Sequence, residues 1–370
     1  MEMPTDGRRI AAAMSGGVDS AVAAGLLVSQ GCSVIGVTMR LWHAPMVEDC
    51  ENLCCSAESV DAARRAARVL GIDHIVLNVA DVFRDIVVAD FISEYAAGRT
   101  PNPCVVCNAR IKFGELHRRL MMLGVDLVAT GHYARRTADP ISGRWLLSRA
   151  ADRAKDQTYV LYRLTQDQLA RSLFPLGGMT KPEVRAIARS MGLDVAERHD
   201  SQEICFVPPG MYRDFLAAQD SALTTPGPIM DPDGRVIGEH TGVAMYTVGQ
   251  RKGLGALTTH RGPLYVLEIR PDENGIVVGP EELLYRRSFD ACDVAFIPFD
   301  SLEDEIDVTA QVRYKSPAAP ARISPLGRQS VHVEFSTAQR AVTPGQSVVF
   351  YSGDLVVGGG VIRGRANRSR

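Results

Sequence analysis

The 370 residues exceed what one ordinary hydrophobic core organises and predict two or three domains, while 46% hydrophobic and 23% charged residues are typical of a soluble globular chain. The 41 Lys and Arg residues nearly balance the 43 Asp and Glu residues, which excludes a protein that is cationic over its whole surface. No apolar run is long enough to cross a bilayer and the charged amino terminus lacks the apolar stretch of a signal peptide, so we expect a cytoplasmic protein with no membrane contact.

In the first half of the chain, short apolar runs alternate with helical patterns. The predicted strands are residues 10–14, 34–38, 75–79 and 127–129, and the predicted helices include 18–30, 57–70 and 82–97. Strands that alternate with helices form a parallel sheet with helices on both faces. We therefore predict the α/β class and a first domain at 1–217, with ligands bound at the carboxyl ends of the strands.

A further helix is predicted at 180–192. Thr180 and Glu183 have the spacing of a capping box, Pro182 lies in the first turn, and Gly192 follows the last residue. Its apolar stripe carries no chemical group, so we predict a packing role.

The pattern changes near residue 218, where short β-type runs separated by Gly, Pro and Asp turns replace the helices. Runs at 246–247, 265–269 and 276–278 predict a small central β-rich domain at 218–284. The last domain, at 285–366, is predicted to be a closed antiparallel β-barrel of about five or six strands. Its predicted strands include 308–314, 331–335, 347–351 and 356–362.

Charge is unevenly distributed in the last domain. Residues 286–307 hold two basic and seven acidic side chains, whereas 308–370 hold nine basic and two acidic ones. The basic segment is either a solvated face or a surface that contacts nucleic acid, and we favour the second interpretation.

The strongest motif is the hexapeptide Ser15-Gly16-Gly17-Val18-Asp19-Ser20, which joins the first predicted strand to the first predicted helix. Paired glycines at such a turn let backbone N–H groups converge on a phosphate at the positive end of the helix. The motif lacks the GK[ST] of a Walker loop. Because a carboxylate repels a phosphate unless a cation intervenes, Asp19 predicts bound Mg²⁺. The alternative is a plain turn followed by a helix-start charge.

SGGVDS at this position resembles the PP-loop ATP pyrophosphatases, whose domain is similar to the adenine nucleotide α-hydrolases. The resemblance implies that ATP is cut between its α- and β-phosphates and that the AMP moiety activates an oxygen of the substrate. The superfamily includes amide-forming synthetases and enzymes that install sulfur in tRNA. The loop alone does not choose between them.

Eight cysteines are too sparse for a disulfide scaffold in a chain of this length, which leaves core packing, metal ligation and redox chemistry as their uses. They are Cys32, Cys50, Cys54, Cys55, Cys104, Cys107, Cys205 and Cys292. For Cys32 and Cys292 we predict core packing.

Three interpretations compete for the thiols of Cys104, Cys107 and Cys205. In the first interpretation they are buried core residues, although the Pro-rich and polar surroundings of Cys107 and Cys205 argue against burial of these two. In the second interpretation they bind metal. All three would hold an iron–sulfur cluster, or they would form a zinc site together with Cys50, Cys54 and Cys55. Or Cys107 and Cys205, 98 positions apart, transfer sulfur by thiolate chemistry.

Longer motifs extend the resemblance over nearly the whole chain. In chain order they are SGGVDS, GVTMRLW, GRTPNPCVVCNARIKF, TGHYAR, KDQTYVLYRL, SQEICF, YTVGQRKGLG, VRYKSP and TPGQSVVFY. On these motifs the chain resembles the tRNA-specific 2-thiouridylases, which are tRNA-uridine 2-sulfurtransferases that make 2-thiouridine at the wobble position. The resemblance implies a PP-loop catalytic domain, a small central β domain and a carboxyl-terminal β-barrel, in agreement with the composition shifts.

The resemblance also implies roles for individual residues. ATP is expected at Ala13, Met14, Ser15, Gly16, Gly17, Val18, Asp19, Ser20, Met39 and Gly131. Cys107 corresponds to the nucleophile and Cys205 to the cysteine that carries a persulfide, and the reaction leaves a transient Cys107–Cys205 disulfide. The tRNA is expected at Asn102, Pro103, Cys104, His132, Lys155, Asp156, Gln157, Arg313, Tyr314 and Gln346.

Cys104 stands where many members have Asp, which argues against an acid–base role there and favours the cluster interpretation slightly. The target base has to leave its stack to enter a pocket, and Tyr133 and Phe206 are candidate stacking walls. We expect nearby cations or a helix end to lower the pKa of both Cys107 and Cys205.

The expected cofactors and partners are ATP, Mg²⁺, the tRNAs for Lys, Glu and Gln, and a persulfide relay protein supplied by a cysteine desulfurase. Three alternatives stay open at this point. One is a PP-loop amide-forming synthetase that uses ammonia, and another is an iron–sulfur-dependent tRNA thiolase that uses the same cysteines. The third is an RNA-binding protein without catalysis whose loop only senses ATP.

Overall fold

The computed structural model describes residues 7–41, 57–197, 204–207, 210–255 and 262–364. Contacts divide the chain into two compact units. The first consists of Met1–Val87, Cys104–Pro209 and Asp354–Val356, and the second of Val88–Pro103, Gly210–Gly353 and Val357–Arg370. This division in space does not test the expected domain boundaries at 217/218 and 284/285, which stay predictions.

The first unit is built on a parallel sheet. The strands of this unit are β1 (Arg9–Ala13), β2 (Ser33–Arg40), β3 (His74–Asn78), β4 (Leu127–Thr130), β5 (Ala134–Ala138), β6 (Trp145–Arg149) and β7 (Ser172–Leu173). Five of them form the order β3-β2-β1-β4-β7 with parallel pairing throughout, and β5 and β6 form an antiparallel hairpin. The predicted parallel sheet is confirmed, and β1–β4 match the predicted strands to within two residues.

The helices in the described part of the chain are α1 (Val18–Ser29), α2 (Ala57–Leu70), α3 (Ala80–Phe83), α4 (Ala89–Ala96), α5 (Pro103–Val106), α6 (Leu116–Met122), α7 (Gln166–Ala170), α8 (Lys181–Ser190) and α9 (Tyr212–Gln219). Residues Arg84–Val88 and Cys107–Glu115 are π-helical. The predicted helix at 82–97 is therefore interrupted. Insertions of this kind are frequent at functional sites.

Small side chains let α1 pack closely against its neighbours. Ala21 and Ala24 of α1 are buried in one cluster with Ala63 and Ala67 of α2. Helix α8 also contacts α1, and its capping residue Thr180 donates its backbone N–H to the Glu183 carboxylate over 2.7 Å. These contacts pack α1, α2 and α8 against one another.

The second unit holds a small mixed β-sheet and an antiparallel β-barrel. Its strands are β8 (Gly227–Met230), β9 (Val236–His240), β10 (Tyr265–Arg270), β11 (Gly275–Gly279), β12 (Tyr285–Phe296), β13 (Ile306–Gln311), β14 (Ala319–Gly327), β15 (Ser330–Arg340), β16 (Ser347–Ser352) and β17 (Leu355–Ile362). Strands β8–β11 form a sheet of order β10-β11-β8-β9, in which the β11–β8 pair is parallel. Strands β12–β17 follow the order β12-β15-β14-β13-β16-β17, and pairing of β12 with β17 closes a six-stranded barrel. The predicted barrel is confirmed.

Two strand predictions in this unit are wrong in detail. Residues 246–247 are not a strand because their N–H groups bond locally, that of Tyr246 to the Val243 carbonyl and that of Thr247 to the Gln250 side chain. The strand predicted at 308–314 ends at Gln311 because the amide of the Gln311 side chain donates to the carbonyls of Arg313 and Tyr314 and holds a turn.

Strands β12 and β14 carried no clear signal in the sequence. In β14, Ala321 and Ile323 point into the barrel core, but Pro320 and Pro325 interrupt the pattern and suggest a loop. Irregular pairing also bends β12, where Asp293 adopts a positive φ of 50°. Among the described helices, none combines the length and apolar character that a membrane crossing requires.

His117 of α6 is buried against the ring of Phe113, and neither nitrogen of its imidazole has a hydrogen-bond partner. Burial lowers the pKa of His117 to about 4. The folded protein therefore binds fewer protons than the unfolded chain between that pKa and the ordinary value near 6.5. Stability from this residue is complete above about pH 6.5 and decreases as the pH falls towards 4.

We expect His117→Leu to reduce the acid sensitivity of folding. Between pH 7 and pH 4.5 the variant should lose about 2–3 kcal/mol less unfolding free energy than the wild type, because one buried titrating group is gone. Urea unfolding at both pH values measures this difference. Equal losses in the two proteins would contradict the assignment.

Candidate active site

The turn between β1 and α1 is tightly constrained by glycine. Gly16 adopts a φ of +75°, and a Cβ at this position would lie 2.3 Å from the Ser59 carbonyl oxygen of α2. Only glycine satisfies both conditions. Gly17 is the residue that caps α1, with no side chain to occupy the space before the helix. The first N–H groups of α1 therefore face this turn, as the predicted phosphate loop requires.

Two serine hydroxyls brace the turn from within. The Ser20 hydroxyl donates to the Gly17 carbonyl over 3.0 Å and accepts the Ser15 N–H over 3.1 Å. The Ser15 hydroxyl oxygen lies 3.4 Å from that of Ser20. The loop is therefore pre-formed by its own residues, and the expected contacts of Ser15 and Ser20 with ATP stay predictions.

Asp19 forms an ion pair that the sequence reasoning missed. The Lys181 Nζ atom lies 2.8 Å from both carboxylate oxygens of Asp19, and the Tyr133 hydroxyl donates to Oδ1, also over 2.8 Å. Lys181 is the first residue of α8, the helix for which we predicted packing alone. A lysine at a helix amino terminus is disfavoured by the helix dipole. This unfavourable position was the one feature of the sequence that indicated an acidic partner for Lys181.

Tyr133 and Phe206 do not offer stacking faces, so these two expectations are wrong. Tyr133 is buried because its hydroxyl reaches Asp19 and its backbone exchanges hydrogen bonds with Gln157, which accepts the Tyr133 N–H at its side chain and donates its own N–H to the Tyr133 carbonyl. Phe206 is buried edge-to-face against Phe83, with ring centroids 5.5 Å apart.

Asp156 and Gln157, expected to contact tRNA, both have partners inside the first unit. The Asp156 carboxylate is only 5% exposed and accepts the Ala150 N–H, the Thr158 hydroxyl and the Arg149 guanidinium. Together with the Gln157–Tyr133 bonds, these contacts hold the segment after β6 against the start of β5. A contact of Lys155-Asp156-Gln157 with tRNA stays a prediction.

Gly131 and His132 follow β4, beside the phosphate loop. A Cβ on Gly131 would lie 2.7 Å from the Ser20 nitrogen, so the missing side chain admits the start of α1. The His132 Nδ1 atom lies 2.8 Å from the Thr130 hydroxyl, and burial together with Lys112 lowers the pKa of His132 well below its ordinary value. His132 is therefore a neutral imidazole. Met39, near the end of β2, packs on the apolar cluster of the sheet.

The candidate catalytic cysteines differ in burial. Cys107 begins the π-helix Cys107–Glu115 and is only 6% exposed, which contradicts the expected accessibility of this thiol. The same segment also buries Asn108 and Ile111, so Cys107 lies on the inward side of the π-helix. Cys104 is exposed and Cys205 is half-buried, and none of the three forms a disulfide bond in this structure.

Cys104, Cys107 and Cys205 do not by themselves fit an iron–sulfur cluster or a zinc site. Within the described ranges, no three His, Cys, Asp or Glu side chains are arranged to hold a metal ion, so Cys104, Cys107 and Cys205 do not form a ligand set there. Cys50, Cys54 and Cys55, the expected additional zinc ligands, lie outside the described residues. No step of the reaction is therefore assigned to a cluster.

In the second unit, a turn of the barrel holds the backbone that leads to Asn102 and Pro103. The Gln346 amide donates to the carbonyls of Thr100 and Pro101 over 3.0 and 3.2 Å, and the Thr100 N–H donates to the Pro344 carbonyl over 2.8 Å. Gln346, expected to contact tRNA, thus clamps the segment that carries two other expected contacts.

Arg313 and Tyr314 lie in the turn after β13. The Arg313 guanidinium donates to the Ala341 carbonyl and the Thr343 hydroxyl over 2.7 and 3.1 Å, and Tyr314 is 42% exposed. Part of the basic charge of the barrel is neutralised, since Arg322 pairs with Asp307 and Arg340 with Glu281. The pairing with Arg322 also lowers the pKa of Asp307.

Three family models match successive parts of the chain. They are described as a tRNA methyl transferase HUP domain at residues 8–209, a tRNA methyl transferase PRC-barrel domain at 213–280 and an aminomethyltransferase beta-barrel domain at 286–362. A protein of Moorella thermoacetica named tRNA-specific 2-thiouridylase MnmA is 50% identical over 95% of this chain and 98% of its own length. The chain belongs to the tRNA-specific 2-thiouridylase family.

Other members of the family agree with this assignment. The protein of Caldanaerobacter subterraneus subsp. tengcongensis named tRNA-specific 2-thiouridylase MnmA 1 is 49% identical over 96% of this chain and 97% of its own. That of Clostridioides difficile, named tRNA-specific 2-thiouridylase MnmA, is 46% identical over 96% of this chain and 98% of its own. Both cover the two units described above.

Replacing Gly16 tests whether the loop depends on close backbone contact. We expect Gly16→Ala to lose ATP binding and to lower the unfolding temperature, because the new Cβ collides with α2. Gly31→Ala is the matched control, since Gly31 has the same positive φ region but nothing within 4 Å of its Cβ. That control should cost only about 1–2 kcal/mol from backbone strain and leave ATP binding intact. Equal effects of the two substitutions on ATP binding would contradict the steric argument.

Replacing Gln346 tests the clamp. Gln346→Ala removes two hydrogen bonds to backbone carbonyls, so hydrogen exchange of residues 99–102 should become faster in the protein without tRNA. Gln339→Ala is the control, because the Gln339 amide donates only within its own strand, to Thr337. Exchange followed by mass spectrometry measures both. Unchanged exchange at 99–102 in Gln346→Ala would refute the clamp.

Proposed function

We propose that this chain is an ATP-dependent tRNA sulfurtransferase that converts the wobble uridine of tRNA to 2-thiouridine. The observation that carries the proposal is family membership along almost the full length, with relatives named tRNA-specific 2-thiouridylase that are 46–50% identical. Two features support it: the glycine-capped turn between β1 and α1, and the thiols of Cys107 and Cys205, neither of which is in a disulfide bond.

In the proposed first step, the phosphate loop holds ATP and uracil O2 attacks the α-phosphorus. The bond between the α-phosphorus and the bridging oxygen breaks, pyrophosphate leaves, and N3 gives up its proton. Uracil O2 by itself is a poor leaving group at C2, and this step converts it into AMP, which is a good leaving group. ATP contacts are proposed for Ala13–Ser20, Met39 and Gly131.

In the second step, the terminal sulfur of a Cys205 persulfide attacks C2, and AMP departs with the former O2. The Cys107 thiolate then attacks the Cys205 Sγ atom, so that a Cys107–Cys205 disulfide forms and the transferred sulfur keeps the electron pair of the broken S–S bond. N3 regains a proton, and an external dithiol reduces the disulfide. In a second route, Cys107 attacks first and releases hydrosulfide, which then displaces AMP. The buried position of Cys107 keeps water from this thiol.

Asp19 has one acceptor position left with which it would hold Mg²⁺. A carboxylate offers about four acceptor positions, and Lys181 and Tyr133 use three of those of Asp19. One position on Oδ2 remains for a cation that neutralises phosphate charge.

The proposed partners are the tRNAs for Lys, Glu and Gln and a persulfide relay protein supplied by a cysteine desulfurase. Contacts with the target base are proposed at Asn102, Pro103 and Cys104, and contacts with the rest of the tRNA at Arg313-Tyr314 and the other expected positions. A cytoplasmic location belongs to the proposal because tRNA is the substrate in the relatives' names.

One assay tests the proposal: the full chain with ATP, Mg²⁺, a persulfide donor and unmodified tRNA, followed by nucleoside mass spectrometry and by measurement of AMP and pyrophosphate. The wild type should form 2-thiouridine. Cys107→Ser and Cys205→Ser should each lower the rate by at least about 100-fold, since each removes a sulfur that the chemistry needs.

Cys32→Ser and Cys292→Ser are the matched controls and should keep wild-type rates. An amide-forming synthetase would stay active in ATP cleavage with both catalytic cysteines replaced. An RNA-binding protein that only senses ATP would produce neither AMP nor pyrophosphate with tRNA. Absence of 2-thiouridine from the wild type would overturn the proposal.

A further inference from the structure

We infer that Lys181 is a positioning residue of the ATP site: its ammonium group neutralises Asp19, so that the turn between β1 and α1 accepts the phosphates of ATP. The inference rests on the proposed function, because it assumes that ATP binds at this turn. It assigns a role to α8, whose stripe suggested packing alone.

The geometry of the pair is that of a fixed, two-point contact. The Lys181 Nζ atom is 2.8 Å from Asp19 Oδ1 and 2.8 Å from Oδ2. The side chain of Lys181 is 9% exposed and that of Asp19 29%. Lys181 therefore reaches Asp19 from the protein interior, while the carboxylate keeps an open side.

The position of Lys181 at the start of α8 is unfavourable by itself. The amino-terminal end of a helix carries partial positive charge, which repels a cation, and burial of a lysine adds a further cost. Both costs are offset when the ammonium contacts a carboxylate. Asp19 is that carboxylate, and the backbone N–H of Lys181 donates to a second one, Asp152, over 3.0 Å. The ion pair with Asp19 thus offsets the cost of placing a cation at this helix end.

The consequence for ATP follows from charge. Asp19 is the second residue of α1, next to the N–H groups that face the loop, and an uncompensated carboxylate there would repel a triphosphate. Tyr133 donates a hydrogen bond to Asp19 but carries no positive charge. Among the contacts described for Asp19, Lys181 alone supplies a full charge. A bound Mg²⁺ would then neutralise mainly the phosphates, because Lys181 and Tyr133 already occupy three acceptor positions of Asp19.

The test measures ATP affinity of the full chain by isothermal titration calorimetry at low and high millimolar Mg²⁺. Lys181→Met should weaken ATP binding by about tenfold or more, and the added Mg²⁺ should recover part of the loss, because it replaces the missing charge. Lys181→Arg keeps the positive charge, so its ATP affinity should stay much closer to that of the wild type. Lys252→Met, which removes an exposed lysine, is the control and should leave the affinity unchanged.

The decisive variant is the double substitution Lys181→Met with Asp19→Asn. It removes both charges, so we expect it to bind ATP several-fold more tightly than Lys181→Met alone. A structural role of Lys181 would give no such recovery and no added dependence on Mg²⁺. Circular dichroism and thermal melting confirm that each variant is folded. If Lys181→Met does not fold, the double variant is compared with the wild type, and a loss of ATP affinity of about tenfold or more in the folded double variant overturns the charge argument.

The outcomes separate the inference from the proposed function. If the wild type does not bind ATP, the proposed function fails. If the wild type binds ATP and Lys181→Met binds equally well with the same dependence on Mg²⁺, the inference is overturned and the proposed function stands. If folded Lys181→Met binds weakly and Asp19→Asn does not restore affinity, the charge argument is also overturned.

Discussion

The ion pair between Asp19 and Lys181 joins the phosphate loop to a helix that begins 162 positions later in the chain. Tyr133 adds a hydrogen bond to the same carboxylate, and the backbone of Tyr133 is held by Gln157. Three separate segments of the first unit thus meet at one acidic side chain, and Gln157 is joined to them through the Tyr133 backbone. Because a buried charge needs a partner, none of these segments can move far from the others without exposing Asp19 or Lys181 to an uncompensated environment.

Close backbone packing around the loop complements this pair. Gly16 lies against the Ser59 carbonyl, and Gly131 lies against the first turn of α1. Both glycines are therefore required by the protein itself, whatever ligand the loop binds. The loop is held by its own contacts, and such pre-organisation reduces the entropy that ligand binding has to overcome.

The segment that carries the cysteines is held on both sides. Before Asn102, the barrel turn at Gln346 and Pro344 binds the Thr100–Pro101 backbone. After Cys104, the chain enters the π-helix Cys107–Glu115. Cys107 is its first residue, and the thiol of Cys107 is buried. Several residues that the family resemblance assigns to tRNA, among them Gln346 and Asp156, also have partners within the protein. A loss of activity after substitution of such a residue has to be separated from a loss of structure.

The sequence by itself determined the α/β class, the parallel sheet, the barrel, the position of the phosphate loop and the family, because periodicity and contiguous motifs are local properties of the chain. Only the tertiary structure decided which cation faces Asp19, that Cys107 is buried, that Tyr133 and Phe206 are packed inside, and that Gln346 clamps Thr100. Each of these depends on side chains from distant segments. Charge compensation and burial are set by where those segments meet in space, and no local pattern records this.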